Sequence, residues 1–341
     1  MADWIALSDC REPLQNVAGP RAEATALLAQ GALVLELALP LNRPGVLLDY
    51  RATNGWLRAL SVFHDPDLGV GIMHRQGSTL VRHTLPGPLP RATGTARLTL
   101  RWDAPARTWS LRYELLGSGQ VAEARGRNPL PLPMADLLAL CRGDAISQRH
   151  PALLWFGATQ GEDPPDRAPW IGLRTPVATP TGYRHAGSLR PGDRVLTRDS
   201  EVATLQSVRH MRLPSRGSFA PVLLRAPYFA AHTDLLVSAD QLIALSGTEV
   251  EYLFAEDEVL AEAGHLTDGR SALYDTRRAV TSCVSLDLGD PDLILSDGCA
   301  LASARHEADT AATPRKRRLL RCYEAVPLLA LLGRGDGRRA A

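Results

Sequence analysis

The chain has no apolar run approaching the ~20 residues that a membrane-spanning helix requires, so no membrane span is expected. It has no C-x-x-C pair, and none of its five cysteines (Cys10, Cys141, Cys283, Cys299 and Cys322) has a histidine close by in sequence. An odd number at such spacings argues against a disulfide framework and against a Cys/His metal site; they read as reduced, packed thiols. Lysine is almost missing, Lys316 being the only one, and arginine carries nearly all the positive charge. The formal net charge of +1 supplies no global field for nucleic acid or for an acidic partner, and no nucleic acid is expected. The segment Met1–Asp9 has no basic start and is soon broken by charge, so no ordinary secretion signal is read there. Cytoplasm and leaderless export both fit that start. No G-x-S-x-G is present, which leaves His232-Thr233-Asp234 as half of a triad without a nucleophile.

What the chain has in quantity is turn chemistry. Its 25 prolines and 28 glycines recur between short apolar runs, a pattern that points to an all-β protein. At 341 residues it is long enough for two cores. In the first half, residues 32–39, 45–50, 56–63, 69–74, 78–83 and 96–102 read as strands, with 78–83 set against 96–102. Residues 108–114 alternate with period two, as a half-buried strand does, and 103–107 reads as a hairpin loop before them. Residues 134–141 have helical spacing with Asp136 in the first turn, and 153–156 reads as a closing buried strand. Residues 161–169 are polar and proline-rich with nothing large to pack, so a linker is placed there. The expected organisation is a β-sandwich over 1–160, the linker, a second β-domain over 170–305 and a basic, then apolar, tail over 306–341.

Strands of the second half are expected at 194–198, 203–208, 222–225, 234–237, 241–245, 249–254, 283–288 and 292–295. Ahead of them, Val177-Ala-Thr-Pro-Thr-Gly182 and Leu189-Arg-Pro-Gly-Asp-Arg-Val-Leu-Thr197 each read as strand, tight turn, strand. Pro180 presets φ for the first turn and Gly182 supplies a positive φ; Pro191-Gly192-Asp193 repeats that chemistry. This pair resembles the opening of the Hint (Hedgehog/intein) domain of bacterial proteins, and the resemblance spans roughly residues 170–305. It implies a fold that cleaves or splices its own backbone. A Cys or Ser at the domain start attacks the preceding carbonyl, a His closing a T/S-x-x-H strand protonates the departing amide nitrogen, and further histidines precede a D/E-G turn.

Residue by residue, the scaffold of that family is present and its chemistry is replaced. Counting nine residues back from Thr179 puts the nucleophile at Trp170, and an indole performs no acyl transfer. Ser238-Ala-Asp-Gln241 matches the second element with Gln241 in the histidine's place; an amide donates a hydrogen bond but shuttles no proton near neutral pH. Ser285 and Pro291 stand where related sequences carry histidine, ahead of Asp297-Gly298. The matching scaffold residues are Thr179, Pro180, Gly182, Gly192, Asp193, Ser238, Asp297 and Gly298. A weaker resemblance, over 96–114, is to the strand-turn-strand of laminin-G and concanavalin-like sandwiches.

Other constellations have a plain reading beside the functional one. Asp65 and Asp67 in His64-Asp-Pro-Asp67 are weak candidates for Ca²⁺, against an ordinary Asp-Pro turn. His74 and His83 match no metal spacing. Trp102, Trp109 and Trp155 offer a sugar platform, against core packing. The expectation is an all-β protein, an N-terminal β-sandwich followed by a Hint-type β-fold domain and a short helical C-terminal tail. It is expected to have lost self-cleavage and to act as a binding or structural module, without cofactor, for an unknown protein or glycan. Two alternatives stay open: an autoprocessing Hint protein whose nucleophile lies elsewhere, and a glycan- or protein-binding sandwich carried on a Hint scaffold.

Overall fold

The computed structural model describes residues 4–16, 26–53, 55–143, 146–161, 168–304 and 316–335. Residues 162–167, most of the expected linker, and 305–315 lie outside them. The chain divides into two compact units, Met1–Asp166 with Arg216–Ser218, and Arg167–Ser215 with Phe219–Ala341.

The first unit is a β-sandwich. Its seven-stranded sheet runs in the order Gln120–Arg127, Thr108–Leu115, Gly94–Asp103, Gln30–Leu39, Leu153–Gln160, Trp4–Ser8, Pro13–Asn16. The five-stranded sheet runs Ile146–Arg149, Gly45–Ala52, Arg58–Asp65, Gly69–Gln76, Thr79–Pro86. Period-two alternation sends one side of each strand into a shared core. In Thr108–Leu115 the residues Leu111, Tyr113 and Leu115 are buried while Arg112 is exposed. Leu35, Leu98 and Leu100 of that sheet share the core with Leu48, Val62 and Ile72 of the other. The run at 78–83 does not pair with 96–102. Thr79–Pro86 is the edge partner of Gly69–Gln76, and Gly94–Asp103 lies in the opposite sheet between Gln30–Leu39 and Thr108–Leu115. The short loop before Thr79 closes a hairpin, and its local contact wins over the more distant pairing.

The helix Met134–Arg142 buries Met134, Leu137, Leu140 and Cys141 and ends at Gly143 with φ +79°. Asp136 in its first turn accepts hydrogen bonds from Tyr50 Oη (2.8 Å) and Arg58 Nε (2.8 Å). Burial, then that hydrogen bond, pushes the Tyr50 phenol above its ordinary range.

The second unit is also built of strands. A six-stranded sheet runs Ser207–Pro214, Val280–Asp287, Ile171–Gly172, Leu235–Val237, Val222–Leu224, Ala272–Tyr274. A five-stranded sheet runs Leu293–Ser296, Cys299–Ala302, Leu242–Ser246, Glu258–Glu262, Arg318–Leu319. Two further hairpins complete it, Pro176–Thr179 with Gly182–His185 and Arg194–Leu196 with Val202–Thr204. Their Val177 and Val195 join Val222, Val237, Val284 and Leu301 in one core. Residues 249–254, read as a strand from the sequence, form the helix Thr248–Phe254. Gly247, at φ +119°, ends the preceding strand, and Glu249 and Glu251 occupy the first turn, where the helix dipole favours carboxylates. The short helical tail is part of this unit. Arg318–Leu319 pairs in parallel with Val259 and Leu260, and the helix Cys322–Gly335 buries Ala325 and Leu328. No described helix is long and apolar enough to cross a membrane.

Candidate functional site

The start of the second unit is held inside its six-stranded sheet. Ile171 pairs with Val284 on one side and Val237 on the other, so the peptide just before it lies between the ends of those two strands. Three hydrogen bonds to two serines hold the chain at Pro169 and Trp170. Trp170 N donates to Ser238 Oγ (3.2 Å), Ser238 N donates to the Trp170 carbonyl (2.9 Å), and Ser285 Oγ donates to the Pro169 carbonyl (2.9 Å). Trp170, Ser238, Gln241 and Ser285 are all buried. Gln241 Nε2 donates to the Ala302 carbonyl (2.8 Å) and to that of Leu242 (3.1 Å), while the Trp170 nitrogen is held by Ser238. Beside Trp170 and Gln241 only about 10 Å³ of cavity is left, at the lower limit for a single water.

Four of the sequence-expected positions therefore meet: Trp170, Ser238, Gln241 and Ser285. Pro291 takes no part in the serine hydrogen bonds that hold the peptide. It is exposed and lines a cavity of about 290 Å³ with Pro169, Asp240 and Asp292. The role of Ser285 on the Pro169 carbonyl is invisible in the sequence, since it depends on the register that sets Ile171 opposite Val284.

The other motif residues build turns. Pro180-Thr181 closes a two-residue hairpin in which Thr179 Oγ1 donates to the Gly182 carbonyl (2.6 Å), with Gly182 at φ +113°. Gly192 takes φ +90°, and Asp193 Oδ2 accepts from Arg190 N (2.8 Å) and Arg184 Nη1 (3.1 Å). Asp297 and Gly298, at φ +47° and +92°, join Leu293–Ser296 to Cys299–Ala302, the two positive values that a type I′ turn requires. The Asp297 carboxylate accepts from Thr233 Oγ1 and lies 3.6 Å from His232 Nδ1, while Asp234 accepts from Ala226 N. His232, Thr233 and Asp234 thus support turns.

Among the described residues the buried thiols of Cys283 and Cys299 point to other carbonyls, Cys299 Sγ to that of Phe229 (2.9 Å). Cys283 sits opposite Gly172 in the ladder but turns its Sγ to the Met211 carbonyl (3.7 Å), and burial pushes its thiol far up. Burial also raises the Cys141 and Cys299 thiols to about 12, out of the nucleophilic range. In the first unit, Asp65 Oδ1 accepts from Asp67 N (2.9 Å) and Leu68 N (3.0 Å), and Asp67 pairs with Arg91. Those carboxylates serve a turn, and the described residues contain no group of three that would hold a metal ion. Trp102 and Trp155 are buried; Trp109 stands edge-on to His83, with ring centroids 4.7 Å apart.

Residues 173–308 match the family model of the Hint domain. The second half carries a Hint domain. No curated protein matches the chain. Among solved structures, the MchDnaB-1 intein is 15% identical, over 39% of this chain and 98% of the intein, with a TM-score of 0.28. The CBM40 of the Ruminococcus gnavus IT-sialidase is 13% identical, over 49% of this chain and 90% of that one, with a TM-score of 0.32. Basic winged bean lectin with Tn-antigen is 17% identical, over 46% and 70%, with a TM-score of 0.19.

Proposed function

We propose that the Hint domain of this protein is non-catalytic and acts as a clamp that holds the Pro169–Trp170 peptide bond without breaking it. The observation that carries this reading is Trp170 itself, 2% exposed at the position that the motif spacing assigns to the attacking thiol or hydroxyl. Self-cleavage by this fold needs a nucleophile at the Pro169 carbonyl carbon and a proton for the departing nitrogen, acting as a unit. The indole supplies no nucleophile. The nitrogen donates to Ser238 Oγ, and the Gln241 amide, bound to the Ala302 carbonyl, carries no transferable proton near neutral pH. What remains of the site supports structure, since three hydrogen bonds fix the chain as it enters the domain. In this reading the sandwich over 1–160 is the binding half for a protein or glycan. The Hint domain over 170–305 and the tail over 306–341 form its folded companion, with 161–169 as linker.

One observation favours the autoprocessing alternative: Ser285 Oγ lies 2.9 Å from the Pro169 oxygen. A hydroxyl donating to that oxygen sits where an oxyanion would be stabilised, beside the oxygen instead of over the carbon. Restoration of the missing pair tests the clamp. Trp170→Cys alone should stay intact. Trp170→Cys with Gln241→His should cleave slowly between Pro169 and residue 170, in a reaction trapped by hydroxylamine. If Trp170→Cys alone cleaves as fast as the double variant, Gln241 is not a lost proton donor and the proposal fails at that residue. Fragmentation of the wild type that Ser285→Ala abolishes establishes the alternative.

A further inference from the structure

A groove of about 510 Å³ crosses four strands of the sandwich's seven-stranded sheet, within the first unit. Its floor is set by register. Ala32, Arg101, Ser110 and Arg125 stand directly opposite one another on Gln30–Leu39, Gly94–Asp103, Thr108–Leu115 and Gln120–Arg127. Directly opposed residues share a sheet face, and successive residues alternate between faces. Leu33, Leu100, Leu111 and Ala124, one position along each strand, pack in or against the core, so the Arg101–Ser110–Arg125 row faces away from it. Ser110 is the small residue between two long cations. The two arginine positions lie about 10 Å apart, two strand spacings. Two residues further along the same face, Gln30 Nε2 donates to Asp103 Oδ2 (2.9 Å) and closes one end. Glu123 Oε1 engages Arg125 Nε (2.6 Å) and orders that guanidinium.

The geometry points to this groove as the binding site for an anionic glycan, a carboxylated or sulfated saccharide chain. This rests on the reading of the sandwich as the binding half. The lining is mixed: the guanidiniums of Arg101 and Arg125, the Gln30 amide, the Asp103 carboxylate and the Ser110 hydroxyl stand among glycine and alanine surface, the pairing of a few convergent polar groups with apolar area that a sugar ring requires. Such a lining matches a polyhydroxylated ligand. With Arg97 set aside because it pairs with Glu36, Arg101, Arg112, Arg125 and Arg127 against Asp103, Glu114 and Glu123 leave one surplus positive charge across the same face of the three strands (4 − 3 = +1). A planar guanidinium fork reads a carboxylate or sulfate through paired hydrogen bonds. The dip at Ser110 admits a ring between the two forks.

The test is a titration of the full-length protein followed by calorimetry. The probes are polygalacturonate, its neutral methyl ester, heparin, dextran and duplex DNA. Polygalacturonate or heparin should bind, the ester and dextran should bind at least ten-fold more weakly, and DNA should not compete. Arg101→Gln with Arg125→Gln should weaken binding at least ten-fold, Ser110→Trp should block it, and Arg43→Gln should leave it unchanged. Circular dichroism melts show whether each variant is folded, and the arginine pair keeps the test decisive if Ser110→Trp does not fold. Equal binding of acidic and neutral glycans, or binding untouched by the arginine pair, overturns the site while leaving a glycan-binding sandwich. Equal binding of duplex DNA overturns the glycan class. No binding to any glycan overturns both.

Discussion

At the residue scale, the same substitution has different costs at two of the scaffold glycines. A Cβ on Gly298 would lie 2.1 Å from the Ala230 carbonyl oxygen, in addition to the strain of φ +92°. At Gly182, with φ +113°, nothing lies within 4 Å. Gly182→Ala should therefore cost about 1–2 kcal/mol, the backbone penalty alone, and Gly298→Ala about 3 kcal/mol or more, because backbone must move. Urea denaturation of both variants checks the order; an equal cost would refute the close-approach argument. His74 and His83 give the sandwich a pH dependence. Burial lowers both to about 4, from an ordinary value of 6.5. The unfolded chain takes up these protons as the pH falls through about 6.5, and the folded one only near 4, so stability is full above that window and lost across it. The loss is up to about 3 kcal/mol per histidine. Denaturation at about pH 7 and about pH 4.5 measures it, and His74→Gln with His83→Gln should flatten the difference.

At the element scale, the C-terminal segment is fastened by charge and then by packing. Arg317 donates to Asp199 Oδ1 (2.7 Å) and Oδ2 (3.0 Å) and also reaches Glu258, and its guanidinium holds the Asp199 carboxyl below the usual range. Leu320 and Leu328 are essentially fully buried, so Leu328→Ala should cost about 2–4 kcal/mol in the Hint domain. A denaturation midpoint unchanged by Leu328→Ala would show that the helix is not docked. Elements were legible where alternation is clean, as in Thr108–Leu115 of the sandwich, and where punctuation is strong, as at Pro180, Gly182 and Gly298 of the second unit. The helix Thr248–Phe254 was not, because its seven residues bury one side chain, Val250, and show no helical period. The pairing of Thr79–Pro86 was missed because register and partner are long-range properties. For the site, the motif spacing singled out Trp170, Ser238 and Gln241, which the structure brings together, whereas the Ser285 bond to the Pro169 carbonyl exists only through the ladder at Ile171.

At the scale of the whole molecule, each unit owns a core: one drawn from Ile5 to Ala158, the other from Ile171 to Leu328. Limited proteolysis of the full chain should nick within 161–169 and leave two resistant fragments; digestion without a stable fragment would contradict that division. The clamp reading makes a simpler demand on the whole chain, that the peptide between Pro169 and Trp170 survive in the folded protein. The direct measurement is the intact mass of wild-type protein, taken when freshly expressed and after prolonged incubation with thiol or hydroxylamine. A single full-length mass throughout is the predicted result. Thiol- or hydroxylamine-dependent fragments ending at Pro169 and beginning at Trp170 would contradict it.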